Sequence, residues 1–257
     1  MPWSWRKRSK PAEAYSGIAP FYDYLMRHVN YPRWFEYLAD MLNRHLLHQR
    51  RVLELACGTG KMLEKFADAG WEVFGLDRSP AMLAIARQRL QGSQPAAHLW
   101  VGDMRRFAVK WPMDAVICLY DSLNYCLTPE EVEQVFDHAH AALASGGVFI
   151  FDVVTQRNCK RHFRDFYEHD QYENYEYIRQ SHFDFKNEQQ INEFMIKVYD
   201  GGVQRYYERH VQRIYRLHQI EVSLQKFSWE MLGIFDNFSR RPGTEKSDRV
   251  HFVMRKP

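Results

Sequence analysis

From Arg51 to Val154 five short apolar runs alternate with stretches of helical character, and this order restricts the chain to very few folds. The runs are residues 51–55, 72–76, 98–101, 114–119 and 148–154. Apolar strands separated by helices need cover on both faces, which a parallel sheet obtains from its own crossover helices. Local signals mark the helix ends. Ser79-Pro80 and Thr128-Pro129-Glu130-Glu131 each place a capping hydroxyl before a proline, and Gly70 follows the helical residues 61–69. The expected fold class is α/β, a doubly wound sheet.

Either side of this block the pattern differs. Residues 13–47 read as helical and strongly aromatic, with Tyr15, Tyr22, Tyr31 and Trp34 among them. After Val154 the period becomes that of strands, at 175–185, 191–199 and 203–214, with Asp200-Gly201-Gly202 as a hairpin turn. A helix near 220–227 and strands at 230–235 and 250–254 return to the core, for seven core strands in all. The expected organisation is a disordered basic tail at 1–12, a helical lid at 13–50 and a mostly parallel core at 51–155 and 215–257. An antiparallel β cap is inserted at 156–214.

Composition excludes several classes. At 257 residues and 46% hydrophobic, the chain has material for one large core. No apolar run approaches the roughly 18 residues of a membrane span, and the charged start lacks the apolar stretch of a secretory signal. The net charge of +3 rests on Arg6, Lys7, Arg8 and Lys10; setting these aside from the 35 bases leaves one fewer than the 32 acids. The body therefore carries no basic surface for nucleic acid. The four cysteines form no metal-ligand spacing, so reduced thiols in a cytoplasmic protein and no metal are expected.

The first apolar run leads into "ELACGTGKML", a glycine turn opening a helix, where backbone N–H groups and a positive dipole end meet a ligand. A dinucleotide fingerprint fails because Leu63 stands at the third glycine, and the P-loop frame is absent. Glu54 precedes the loop; a carboxylate there repels phosphate and suits an ammonium or sulfonium. With this acid, the stretch resembles the first motif, E/D-x-G/A-x-G-x-G, of the class I S-adenosylmethionine-dependent methyltransferases. "VFGLDRSPAML", "VGDMRRF", "DAVICLYDSLNYC" and "LASGGVFIFDV" match the later motifs in order, so the resemblance covers residues 15–154.

The resemblance implies a Rossmann-like fold, S-adenosyl-L-methionine as cofactor with S-adenosyl-L-homocysteine as product, and a cofactor site. Glu54 would meet the methionine ammonium, while Ala56, Gly58 and Gly60 allow close backbone approach. Asp77, 19 residues after Gly58, would bind the ribose hydroxyls, flanked by Arg78 and Met82. Asp103 and Met104 would face adenine. Leu119 and Ser122 close the site at the end of the fourth strand. Tyr15 matches an early cofactor-contacting tyrosine of small-molecule members such as the aminosugar N,N-dimethyltransferases. Tyr22, Tyr31 and Trp34 either wall the sulfonium by cation–π contact or pack the helix onto the sheet.

In-line methyl transfer needs alignment and exclusion of water, plus a base only where the acceptor loses a proton. Asn124 and Tyr125, at the carboxyl edge of the sheet, and His210, sharing a strand face with Glu208, are the catalytic candidates. Asn124 alternatively caps the next helix. The segment at 121–124 lacks the prolines of base N-methyltransferases. The reading is thus methyl transfer to nitrogen or oxygen of a small molecule, without membrane partners. An RNA (tRNA) methyltransferase ranks second, and a non-catalytic cofactor-binding regulator third.

Overall fold

The computed structural model describes residues 9–46 and 51–257. Among the described residues, seven α-helices accompany twelve strands that form two sheets, one of five strands and one of seven. Arg6, Lys7 and Arg8 of the basic tail lie outside the described residues. Lys10–Pro11, which the sequence reading put in that tail, forms a short strand, β1. It runs parallel to β10 (Val203–Arg213), opposite Tyr206 and Tyr207.

The core sheet contains β2 (Arg51–Leu55), β3 (Glu72–Asp77), β4 (His98–Val101), β5 (Met113–Cys118) and β6 (Leu143–Val154), all parallel. Antiparallel β12 (Arg249–Arg255) and β11 (Glu230–Asp236) complete the order β11-β12-β6-β5-β2-β3-β4. Alternation along the strands divides the core in two. Leu53, Leu55, Phe74 and Leu76 pack under α5 (Pro129–Ala142) and α7 (Leu217–Leu224). Val52 and Val73 face α2 (Tyr31–His45), α3 (Lys61–Asp68) and α4 (Pro80–Arg89). The helix caps form as the sequence signals: Ser79 Oγ accepts from Met82 N at 3.3 Å, and Thr128 Oγ1 from Glu131 N at 3.3 Å.

The residues expected to be one helical lid do not form a continuous helix. Residues 12–18 are non-helical, a 3₁₀ turn spans Ala19–Phe21, and the short α1 (Tyr22–Leu25) precedes α2. Tyr15 holds a left-handed φ of 65°, a conformation a helix does not contain.

The cap is larger than the three expected strands. After α6 (Gln156–His162), β7 (Asp165–Tyr172), β8 (Tyr175–Asp184), β9 (Gln189–Tyr199) and β10 form an antiparallel sheet in the order β1-β10-β9-β8-β7. Strand β7 escapes sequence reading because its sequence, DFYEHDQY, is polar and only half-buried at alternate positions. Ile18, Phe21 and Leu25 pack onto the cap against Tyr177, Phe194 and Ile196, so the N-terminal segment belongs to the cap's apolar face.

Within the core, His251 is completely buried, and neither ring nitrogen has a hydrogen-bond partner. Its ring lies 4.8 Å from Tyr37 and 5.2 Å from Trp34. Burial, with the nearby Arg249 charge, pulls its pKa down to about 3. The unfolded chain takes up that proton near pH 6.5, whereas the folded chain resists until about pH 3, so stability falls as pH drops through this window. Urea unfolding at pH 7 and pH 5 should show a loss reduced by up to about 2 kcal/mol in His251→Phe. An unchanged pH slope would contradict this.

Candidate active site

The loop leaving β2 turns sharply, with positive φ at Ala56, Gly58 and Gly60, and delivers the chain to α3. At the end of neighbouring β3, Asp77 fixes that loop. Its Oδ2 accepts from Gly58 N at 2.9 Å and its Oδ1 from Ser79 N at 2.8 Å. Ser79 Oγ in turn donates to the Tyr15 carbonyl at 3.0 Å. These elements wall a cavity of about 430 Å³ at the carboxyl edge of the sheet, where open α/β sheets bind ligands.

Most of the sequence candidates line this cavity. Glu54, Ala56, Gly58 and Asp77 form its floor with the loop, while Arg78, Met82, Asp103 and Met104 lie beyond β3 and β4. Tyr15, Tyr22, Leu119, Ser122 and Tyr125 also line it. Glu54 is 5% exposed, and its Oε2 has no partner. Burial, then the Asp77 charge, pushes its pKa well above the usual carboxylate value, as an unpaired buried acid requires. A cation brought against Glu54 would relieve both.

Several candidates sit differently from expectation. Gly60 is absent from the lining: a Cβ there would meet Ala86 Cβ at 3.1 Å, so its role is close approach of α3 to α4. Trp34 lines a second cavity and stacks on Tyr120, with ring centres 4.4 Å apart. Asn124 lines neither cavity. It is fully buried, donates to the Arg213 carbonyl at 2.7 Å and accepts from Val154 N, so it ties the cap to the core rather than reaching a substrate. Ser122 Oγ donates to the Leu119 carbonyl at 2.7 Å, closing its own turn. Asp103 is engaged by Arg105 at 2.6 Å, and that hydrogen bond holds its pKa below the usual value despite partial burial.

The second cavity, about 450 Å³, lies between the core edge, the N-terminal segment and the inner face of the cap. Tyr15, Tyr22, Tyr120 and Tyr125 line both cavities. Burial drives the pKa of each of the four upward, so they stand as neutral hydroxyls. A hydrogen-bonded chain runs from this partition into the cap. Tyr15 and Tyr125 hydroxyls are 2.6 Å apart, Tyr125 Oη is 3.1 Å from His210 Nδ1, and His210 Nε2 is 3.1 Å from Glu208 Oε2. Glu208 is fully buried and also accepts from the backbone N–H of Tyr15 at 2.9 Å, of Ile18 at 3.1 Å and of Gly17. Because Glu208 accepts from Nε2–H, Nδ1 is left as the acceptor for Tyr125.

The N-terminal segment is tied at its other end as well. Asp23 accepts from Thr59 Oγ1 at 2.7 Å and pairs with Arg89, joining α1 to the glycine loop. On the core side of the second cavity, Arg249 pairs with Asp121 at 2.8 Å and with Asp152, and Gln212 of the cap donates to Asp121 at 2.6 Å. Sequence reading did not single out Asp121, Gln212 or Arg249. A polar residue at alternate positions of a cap strand, such as Gln212 after Glu208 and His210, was the available signal.

The family model described as "Methyltransferase domain" matches residues 52–147. A Bacillus subtilis protein named "Putative methyltransferase YqeM" is 32% identical over 244 residues, covering 94% of this chain and 97% of the relative. The dTDP-3-amino-3,6-dideoxy-alpha-D-glucopyranose N,N-dimethyltransferase of Streptomyces fradiae is 34% identical over 145 residues, 55% of each protein. The crystal structure of an S-adenosylmethionine-dependent methyltransferase from Clostridium acetobutylicum matches with a TM-score of 0.80 and 24% identity, covering 94% of this chain and 98% of that one. The fold is that of an enzyme of the α/β methyltransferase type. The chain belongs to the S-adenosylmethionine-dependent methyltransferases.

Truncating Glu208→Ala would strand three backbone N–H donors, that of Ile18 buried and those of Tyr15 and Gly17 partly so, and the buried His210. Unfolding free energy should fall by about 3 kcal/mol or more, with faster hydrogen exchange at Tyr15, Gly17 and Ile18. Native-like protection at these amides in the variant would contradict the arrangement.

Proposed function

We propose that this enzyme methylates a nitrogen or oxygen of a small-molecule acceptor bound in the second cavity, with the cofactor in the first. The single observation behind this is that two cavities of similar size share a partition of four tyrosines. The residues fit the cofactor: Glu54, buried with an unpartnered oxygen, suits the ammonium of its methionine part. Asp77 would accept from the ribose hydroxyls, and Met82, Met104 and Leu119 supply apolar walls for adenine. When bound, S-adenosyl-L-methionine supplies an electrophilic methyl group on a sulfonium.

The chain's own residues do the rest. Tyr15, Tyr22 and Tyr120 orient an acceptor at the partition and exclude water. Tyr125, held at 3.1 Å from His210 Nδ1, passes the acceptor's proton to the imidazole, which Glu208 steadies as it gains charge. The sugar N,N-dimethyltransferase of Streptomyces fradiae matches over about half its length, which supports an amine-bearing small molecule. A concave site of about 450 Å³ suits a metabolite better than a polynucleotide, so RNA is the second reading.

Two measurements test this reading. Calorimetry with S-adenosyl-L-homocysteine should show affinity falling at least about tenfold in Asp77→Ala, and unchanged affinity would remove that assignment. Methyl-labelled cofactor incubated with a metabolite extract, in parallel with total tRNA, should label the low-mass fraction. Tyr125→Phe should lower that transfer about 100-fold while leaving S-adenosyl-L-homocysteine affinity unchanged. Label confined to RNA would contradict the small-molecule reading.

A further inference from the structure

The cap face over the second cavity carries a cation that the chain itself leaves without a counter-ion. Arg179, in the middle of β8, lines that cavity opposite Phe194 of β9. Its guanidinium makes one hydrogen bond among the described residues, from Nη2 to Asn192 Oδ1 at 3.1 Å. Its Nε is buried and has no partner. No carboxylate among the described residues lies within 4.0 Å of it. The nearby Glu168 carboxylate is engaged at 3.0 Å by the Tyr177 hydroxyl.

Two other guanidiniums line this cavity and differ from that of Arg179: Arg249 holds two aspartates, and Arg33 is exposed and lies over the Phe238 ring. A guanidinium with a buried, unpartnered Nε and no counter-ion is costly unless something completes it. The group is also held in place. Phe163, Phe166 and Phe194 rings lie 5.2–5.6 Å from its central carbon, and Asn192 is itself fixed by Ser181 Oγ at 2.5 Å. Such a fixed, planar fork matches the paired oxygens of a carboxylate or phosphate.

We infer that Arg179 is the anion subsite of the second cavity, and that the acceptor therefore carries a carboxylate or phosphate group. This rests on the proposal that the second cavity is the acceptor site, and it narrows the acceptor class. The Phe194 ring sets the scale: Arg179 lies 5.6 Å from its centre, and the His210 ring 5.3 Å from it. An acceptor anchored by its anion on Arg179 thus reaches the Tyr125–His210 chain within the length of a small metabolite.

The test uses the full chain loaded with S-adenosyl-L-homocysteine, titrated calorimetrically with inorganic phosphate and, separately, acetate. At least one anion should bind, and Arg179→Met should weaken it about tenfold or more, with Arg179→Lys intermediate. Arg205→Met, an exposed position of the cap, should behave as the wild type and exclude a general charge effect. The stronger probe tells a phosphate ester from a carboxylic acid. Removing an unpaired charge leaves no stranded partner acid, so Arg179→Met should fold. Absence of anion binding in the wild type, or equal binding in Arg179→Met, overturns the inference. In the labelled-extract incubation, a methylated product not retained on an anion exchanger overturns it too, while leaving the small-molecule reading intact. Label found only in RNA removes that reading instead, whatever the anion titration shows.

Discussion

The carboxylate of Glu208 joins the parts of this protein that chemistry needs to be together. It sits on the inner face of the cap and accepts from the backbone N–H groups of Tyr15, Gly17 and Ile18 as well as from His210. A buried acid is tolerable only with this many donors, and the donors are tolerable there only with the acid. One consequence is local. The chain at Tyr15 is bent into a left-handed turn that an isolated peptide would avoid. The other is functional, because that turn sets the Tyr15 hydroxyl against Tyr125 between the two cavities.

Around that point the structure separates two electrostatic tasks. Beside the first cavity stands Glu54, an acid with an unpartnered Oε2, while beside the second Arg179 is a cation with an unpartnered Nε. Between them lie tyrosines that burial keeps neutral. In the proposed reaction, neutral hydroxyls orient and relay without presenting a charge to a reacting sulfonium, and removal of a proton falls to His210. Cap and core are locked in register across this space by Gln212 on Asp121 and by Asn124 on the Arg213 carbonyl.

The core sheet was legible because each strand carries its own apolar signal and each helix its own cap. Glu54, Asp77 and Gly58 of the glycine loop, whose spacing is local, come together at one cavity. What escaped sequence reading depends on contacts distant in the chain. Asn124 reads as a catalytic-edge residue, yet its amide is used by residues 30 and 89 positions away. For Trp34 the sequence left open a sulfonium wall or packing of the helix onto the sheet, and the ring lies against Tyr120 and His251. The aromatic stretch before Leu47 suggests one helix because its apolar residues fit that period; Glu208 recruits the backbone of its first part instead. Glu208 and His210 were visible as neighbours on one strand face, whereas Arg179 lacked any such local mark. Its meaning comes from an unpartnered Nε and from Tyr177 engaging the nearby Glu168, which only packing reveals.

The central claim is that the tyrosine partition lies between cofactor and acceptor. A crystal structure of the chain with S-adenosyl-L-homocysteine measures this most directly. The account predicts the amine of the ligand on Glu54, its ribose on Asp77, and its sulfur facing the Tyr15–Tyr125 pair. A ligand whose sulfur points away from that pair, with no path to the second cavity, would contradict it.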